Sequence, residues 1–184
     1  KPGPHIKGDV LKVLGAGWDL MIAHPPCTFL SYAGNRWFNV ERYGEKALIR
    51  RENRKGAVGF FSRLYDAPIS KIAIENPIGF INSMFTPTQI IQPYYFGDNH
   101  IKAACLWLKG LSKLQPTNML PKPEPLCTTI RKPSKYCKGG EMKKHYFSCG
   151  GDIRDGHRRS VTFPGIAQAM ADQWGNLKGQ NHGK

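Results

Sequence analysis

One thiol and one carboxylate each stand beside prolines at the end of an apolar run. "LMIAHPPC" places Cys27 directly after Pro25 and Pro26, and "KIAIENP" places Glu75 just before Asn76 and a proline. Proline removes the backbone donor that strand pairing needs, so these prolines end the strands and stiffen the segments that follow. We therefore expect Cys27 to be held on a rigid loop, where a thiol can act as a nucleophile, and not buried as a small core residue.

The two apolar runs predict short buried strands, and the segments around them predict how the strands are connected. Val58, Phe61 and Tyr65 recur at helical spacing opposite "RRENRK", which indicates a helix over about 41–65. "CLWLKGL" predicts a third strand, and "FPGIAQAMADQW" predicts a helix near the end of the chain. Alternation of strand, helix and strand predicts an α/β fold with a mostly parallel sheet.

Such a sheet would bring the two chemical groups together. In open α/β sheets, ligands bind beyond the carboxyl ends of the strands. Cys27 and Glu75 each follow a strand on that side. We expect their side chains to face a shared pocket.

Composition favours a soluble domain with a polyanionic partner. The chain has 184 residues, 40% of them hydrophobic, and a net charge of +14 with an isoelectric point near 9.8. This charge favours nucleic acid over a merely lysine-rich surface. No apolar run is long enough to span a membrane and no signal peptide opens the chain. Five scattered cysteines argue against a disulfide framework, so we expect the reducing cytoplasm as the location. We also expect a monomer.

Changes in residue composition divide the chain into three parts. Residues 1–113 and 160–176 form the expected α/β domain, residues 114–159 a small basic, loop-rich insert, and residues 177–184 a tail. The lysines and arginines of the insert suit contacts with phosphates, and a solvated loop is the alternative. The chain opens on Lys1, which suggests that an N-terminal piece precedes it.

The insert also holds four potential zinc ligands, namely Cys127, Cys137, His145 and Cys149. Their spacings match no standard finger, and free thiols are the alternative. We therefore predict no metal site.

Four segments resemble the cytosine-C5 DNA methyltransferases. "HPPC" with "SYAG", and then "IENP", are similar to the Pro-Cys loop and the Glu-Asn-Val motif of that family, in the same order. "GDVLKV" and "TFPGIAQAMADQW" resemble the Gly-Asp segment and the closing helix. The resemblance covers most of residues 6–110 and 160–175 and extends to small methylase-like proteins of phages. It implies a Rossmann-like fold that lacks its first strand or strands.

The resemblance also implies roles for individual residues. Cys27 would add to C6 of a cytosine flipped out of double-stranded DNA, and Glu75 would hydrogen-bond the base at N3 and the exocyclic amine. The methyl group would come from S-adenosylmethionine. Further contacts are expected at positions that match the motifs: Pro26, Ser31, Asn76 and Lys102 toward the substrate, and Asp9 and Pro25 toward the cofactor.

The chain departs from the family pattern in several places. Lys102 and Ala104 stand where the family carries two arginines, and His24 replaces a small or aromatic residue. The family's Gly-rich turn, which holds the methionine moiety, would have to precede Lys1. Asp9 has a local alternative as a cap or turn residue.

Two other functions compete with this interpretation, and a third, that of a zinc deaminase, lacks a residue that it needs. Amino-methyltransferases that act on N6 of adenine or N4 of cytosine share two prolines, but an aromatic residue stands at the position of Cys27. A zinc deaminase needs a second cysteine that "PPCTF" lacks. The other alternative is a degenerate DNA-binding protein without turnover.

Overall fold

A computed structural model describes residues 4–124, 127–130, 142–145 and 162–175. The chain divides into two compact units. The first comprises Lys1–Ile90 and Ala104–Lys113, and the second comprises Ile91–Ala103 and Leu114–Lys184. Both predicted catalytic residues lie in the first unit.

The main sheet has four strands in the order β1-β2-β4-β3. They are β1 (Leu20–Ala23), β2 (Lys71–Pro77), β3 (Gln89–Ile91) and β4 (Ala104–Lys109). β1 and β2 are parallel, with Ala23 opposite Ile74, whereas β2 and β4 are antiparallel over six residue pairs from Ile72↔Lys109 to Pro77↔Ala104. The α/β class is confirmed, but the mostly parallel sheet that we predicted is wrong. An apolar run such as "ACLWLK" fixes burial on both faces and carries no information on strand direction.

The strands differ in burial. Five of the six residues of β4 and four of the seven residues of β2 are buried, which agrees with their apolar runs. β1 lies at the end of the strand order, and Ile22 is 38% exposed. The prediction that β1 is a buried strand is therefore wrong in burial although its position along the chain is right.

The predicted long helix consists of two helices that meet at a glycine. α1 spans Val40–Tyr43 and α2 spans Glu45–Tyr65. Gly44 between them has φ of 52°, a conformation that strains residues with a Cβ. α2 buries Phe61 and Leu64 against Ile72, Ile74 and Trp107 of the sheet, which gives the first unit its hydrophobic core.

The second unit contains the last helix and a small hairpin. α3 spans Pro164–Trp174, as predicted, and buries Ile166, Met170 and Trp174. Its first turn is capped from outside, because the Gly165 N–H donates to Asp98 Oδ2 at 3.0 Å. Among the helices that the structure describes, none combines the length and the apolar character that crossing a membrane requires.

The basic insert is not made of loops alone. β5 (Cys127–Ile130) and β6 (Met142–His145) form a two-stranded antiparallel sheet with Cys127 opposite His145. The prediction of a loop-rich insert missed this pairing, because "CTTI" and "MKKH" are too short and too polar to show a strand pattern. The predicted tail, residues 177–184, lies outside the described residues.

Candidate active site

The parallel pairing of β1 and β2, with Ala23 opposite Ile74, brings the residue that follows β1 beside Glu75, near the end of β2. His24 directly follows β1, and its Nδ1 lies 3.1 Å from Oε2 of Glu75. The side chains of His24 and Glu75 are 41% and 24% exposed, so the pair is open to solvent and to a ligand. The sequence predicted that the two strand ends meet here, but it gave no signal that His24 makes the contact.

Asn76 attaches the proline loop to β2. Its side chain is fully buried, and Nδ2 donates to the Pro25 carbonyl at 2.8 Å. Asn76 Oδ1 is buried without a hydrogen-bond partner among the described residues. Because Asn76 is adjacent to Glu75, one short segment of β2 both carries the carboxylate and fixes the loop that leads to Cys27.

Cys27 begins a tight turn that presents its thiol to solvent. The Cys27 carbonyl accepts hydrogen bonds from the N–H groups of Leu30 at 3.1 Å and Ser31 at 2.9 Å. The Cys27 side chain is exposed, as is Pro26, whereas Pro25 is buried. The thiol is therefore positioned on a stiff, accessible loop, which is the arrangement that a nucleophile needs.

The far end of this turn is attached to the segment after β2. Ser31 and Gly79 form an isolated antiparallel bridge. A Cβ built on Gly79 would lie 2.1 Å from the Leu30 carbonyl oxygen and 2.5 Å from Ser31 Cα. Only glycine allows the two backbones to approach this closely, so Gly79 sets the position of the Cys27 turn from the side opposite Asn76.

Two arginines of α2 hold the carbonyl groups that follow Cys27. An Arg50 Nη donates to the Thr28 carbonyl at 2.9 Å, and Arg54 Nε donates to the Phe29 carbonyl at 2.8 Å. Arg54 also donates to Asn35 Oδ1 at 2.8 Å. The sequence carries no signal of these bonds, because arginines on one face of a helix do not distinguish a solvated face from one that binds backbone carbonyls.

The same two guanidinium groups stack on aromatic rings. The guanidinium carbon of Arg54 lies 3.5 Å from the centroid of Phe38 and 4.3 Å from that of Phe80. Burial, and to a lesser degree the charge of Arg50, lower the pKa of Arg54. Arginine still keeps its charge at neutral pH, so the hydrogen bonds to the loop are charge-assisted.

The other cysteine of the first unit has a different environment. Cys105 lies on β4, is fully buried, and accepts a hydrogen bond from Asn82 Nδ2 at 3.1 Å. Burial raises the pKa of the Cys105 thiol; the hydrogen bond partly offsets this rise and the charge of Glu75 adds to it. Cys105 is therefore a core residue, and Cys27 is the accessible thiol of the first unit within the described residues.

The two residues predicted to contact the cofactor each form a hydrogen bond within the chain. Asp9 is exposed, and its Oδ1 accepts from the Leu11 N–H at 3.0 Å, which is the local capping role considered as its alternative. Pro25 is buried and its carbonyl is occupied by Asn76. These two positions therefore give no structural support to binding of S-adenosylmethionine.

Lys102 belongs to the second unit. Its N–H donates to Gln92 Oε1 at 3.1 Å, and its Nζ lies 5.5 Å from the ring centroid of Phe163. Its predicted contact with substrate stays a prediction.

No cluster of three or more potential metal ligands occurs among the described residues. The strand register places Cys127 opposite His145, but Cys137 and Cys149 lie outside the described residues.

Comparison with family models, curated proteins and solved structures finds no match to the chain. The functional assignment therefore depends on the motifs and on the geometry at the ends of β1 and β2.

Proposed function

We propose that the chain is a cytosine-C5 DNA methyltransferase-like protein in which Cys27 adds covalently to C6 of a cytosine. The proposal depends most on one observation: the loop that carries Cys27 leaves β1 beside Glu75, where His24 contacts the carboxylate at 3.1 Å. A nucleophile and a carboxylate at neighbouring strand ends are the two groups that this chemistry uses.

The chemistry of Cys27 is that of conjugate addition. The thiolate forms a bond to C6, and the electron pair of the C5–C6 double bond moves to C5, which becomes nucleophilic. C5 then takes an electrophile, either a solvent proton or a one-carbon group. Loss of the original C5 proton to a base returns an electron pair to the ring and expels the thiolate, which restores both the pyrimidine and Cys27.

Glu75 would stabilise the charge that develops during this addition. Negative charge builds on the ring toward N3 as the thiolate adds, and a carboxylic group that holds a proton at N3 lowers the energy of that state. The contact with His24 fixes the orientation of the Glu75 carboxylate. Asn76, Gly79, Arg50 and Arg54 hold the loop, so that the thiol does not have to be ordered when the base arrives.

S-adenosylmethionine is the methyl donor that the resemblance implies. Its binding by this chain stays a prediction, so the test of the proposal should separate thiol addition from methyl transfer. Exchange of the C5 hydrogen of cytosine with solvent reports addition alone and needs no donor.

The experiment follows release of tritium from oligonucleotides that contain [5-³H]cytosine, with and without S-adenosylmethionine, for the parent chain and the Cys27→Ser variant. In parallel, an oligonucleotide with 5-fluorocytosine and the donor should give a covalent adduct that peptide mapping assigns to Cys27. Cys105→Ser is the matched control, because its thiol is buried.

We expect tritium release that Cys27→Ser abolishes and that Cys105→Ser retains in a folded protein. Salt-sensitive DNA binding without release or adduct would support the DNA-binding alternative instead. Methyl transfer that survives Cys27→Ser would assign amino-group chemistry.

A further inference from the structure

A groove of about 490 Å³ lies beside the loop that carries Cys27. Its apolar lining comes from Phe38, Val58, Phe80 and Met84. Met84 is 55% exposed, so this apolar surface is open to a ligand. The volume is within the range of about 300–1,000 Å³ that is typical of small-ligand sites.

The remaining lining residues are all cations of α2: Arg51, Arg54 and Lys55. None of the described residues that line the groove is acidic. Glu52 does not line the groove, but its Oε1 lies 2.7 Å from Nζ of Lys55. Both side chains are about 70% exposed, and such surface ion pairs are weak. The groove therefore suits a ligand with an apolar part and a negative charge.

Arg54 connects this groove to the proposed catalytic loop. Its guanidinium stacks between Phe38 and Phe80 in the groove, and its Nε holds the Phe29 carbonyl two residues after Cys27. A ligand in the groove would thus lie next to whatever molecule occupies the Cys27 loop.

We propose that the groove binds an unpaired nucleotide of the DNA strand that carries the target cytosine. This inference rests on the proposed function for the neighbouring loop. Every base has an apolar π-face that can pack on Phe80 and Met84, and each nucleotide brings a phosphate for Arg51 or Lys55. A net charge of +14 favours nucleic acid over an acidic peptide as the partner. The substrate would then be a locally opened duplex or a single strand, not an intact duplex with one flipped base.

The test measures binding of a fluorescent single-stranded oligonucleotide, the same strand in a full duplex, and a duplex with one unpaired nucleotide beside a cytosine. All measurements use the full chain with Cys27→Ser, so that binding does not depend on covalent chemistry. Met84→Glu places a negative charge in the groove. Leu48→Glu is its control, since Leu48 is 50% exposed on α2 and does not line the groove. Lys55→Glu, with Lys46→Glu as control, is the second pair.

We expect Met84→Glu and Lys55→Glu each to weaken binding of the single strand and of the interrupted duplex about tenfold, because the first removes an apolar contact with the base and the second removes a cation that faces the phosphate. The intact duplex and both control variants should change much less. Irradiation of a single strand that contains 5-iodouracil should crosslink to the peptides with Phe80 or Met84, which tests the site without any substitution in the groove.

Equal binding by groove and control variants, with crosslinks elsewhere, would overturn the inference. So would competition at the groove by an acidic, apolar peptide but not by the oligonucleotide, which would assign it to a protein partner. Failure of the proposed function is a separate result, since it appears as absent tritium release from the parent chain whatever the groove binds.

Discussion

The imidazole of His24 contacts the carboxylate of Glu75 at 3.1 Å, although 51 positions separate the two residues along the chain. The parallel pairing of β1 and β2 creates this contact, because the register that sets Ala23 opposite Ile74 brings His24, just after β1, beside Glu75 of β2. Neither side chain is buried, so the contact contributes little to folding and its value is in orienting the Glu75 carboxylate.

The first prediction concerns this pair. His24→Ala should lower the rate of C5 tritium exchange about tenfold, because loss of one hydrogen bond to a charged group removes about 1.5–3 kcal/mol of interaction, part of which acts in the transition state. His24→Asn places an amide N–H near the position of Nδ1 and should retain most of the rate. Thermal unfolding should be nearly the same for both variants.

Equal exchange rates in His24→Ala and the parent chain would contradict a positioning role for His24. Equal losses in His24→Ala and His24→Asn would show that the ring itself, and not the hydrogen bond to Glu75, is required.

The second prediction concerns Asn76. Asn76→Asp replaces the donor that holds the Pro25 carbonyl with an acceptor in a fully buried position. We expect a loss of about 1–3 kcal/mol in the free energy of unfolding at neutral pH, measured by urea denaturation. Burial should raise the pKa of the new carboxyl in the folded state above its unfolded value, so the variant should recover stability as the pH falls through that raised pKa.

Asn76→Ala is the control for the pH effect, since it removes the same hydrogen bond but adds no titratable group. For each variant, the loss in free energy of unfolding relative to the parent chain is measured as a function of pH. If this loss depends on pH in the same way in both variants, position 76 is not as buried as the structure indicates.

The third prediction concerns the contact between Gly79 and the Cys27 turn. Gly79→Ala should cost about 1–3 kcal/mol, because the new Cβ meets the backbone of Leu30 and Ser31 and one of the two segments must move. The same change at Gly56, inside α2 with open space around it, should stabilise the protein by about 0.5–1 kcal/mol. Urea denaturation of both variants measures the contrast.

Gly79→Ala should also reduce tritium exchange more than its loss of stability explains, because it displaces the turn that carries Cys27. An exchange rate at the parent level in the folded variant would show that the turn tolerates the displacement.

The sequence could predict where the strands that carry the site begin and end. Apolar runs that stop at proline located β1 and β2, and the order of the motifs located Cys27 and Glu75 at their ends. The direction of β4 could not be predicted, because burial on both faces is compatible with parallel and antiparallel pairing. The break between α1 and α2 depends on one glycine, Gly44, whose positive φ is not visible in an apolar pattern.

The residues that hold the loop were only partly predictable. The motif placed Asn76 toward the substrate, whereas in the structure its buried side chain donates to the Pro25 carbonyl and holds the loop. His24 and Arg54 gave no periodic signal, because their partners are a carboxylate and a backbone carbonyl far away in sequence. Contacts of this kind follow from the fold and cannot be inferred from local composition.

The fourth prediction distinguishes the two described cysteines of the first unit. Iodoacetamide should modify Cys27 in the native protein and spare Cys105 until the protein unfolds, as peptide mapping by mass spectrometry can show. Because burial raises the pKa of Cys105 in the folded state, its neutral thiol contributes stability that is complete below the pKa of an unfolded thiol. That contribution is lost as the pH rises through the raised value. Cys105→Ala should therefore lose less stability than the parent chain as the pH rises above about 8.5.

The last prediction concerns the arginine that joins the Cys27 loop to the groove. Arg54→Lys keeps the charge but cannot bond Phe29 and Asn35 at once while stacked on Phe38, since lysine lacks the planar fork of arginine. We expect a loss of about 1–3 kcal/mol in the free energy of unfolding, because the Phe29 carbonyl and the ring faces lose a half-buried partner. Arg51→Lys should change stability by less than about 0.5 kcal/mol, since Arg51 is exposed and its bond to the Phe38 carbonyl is long, at 3.3 Å. Similar losses in the two variants would mean that the bonds and ring contacts of Arg54 contribute no more to stability than the single long bond of Arg51.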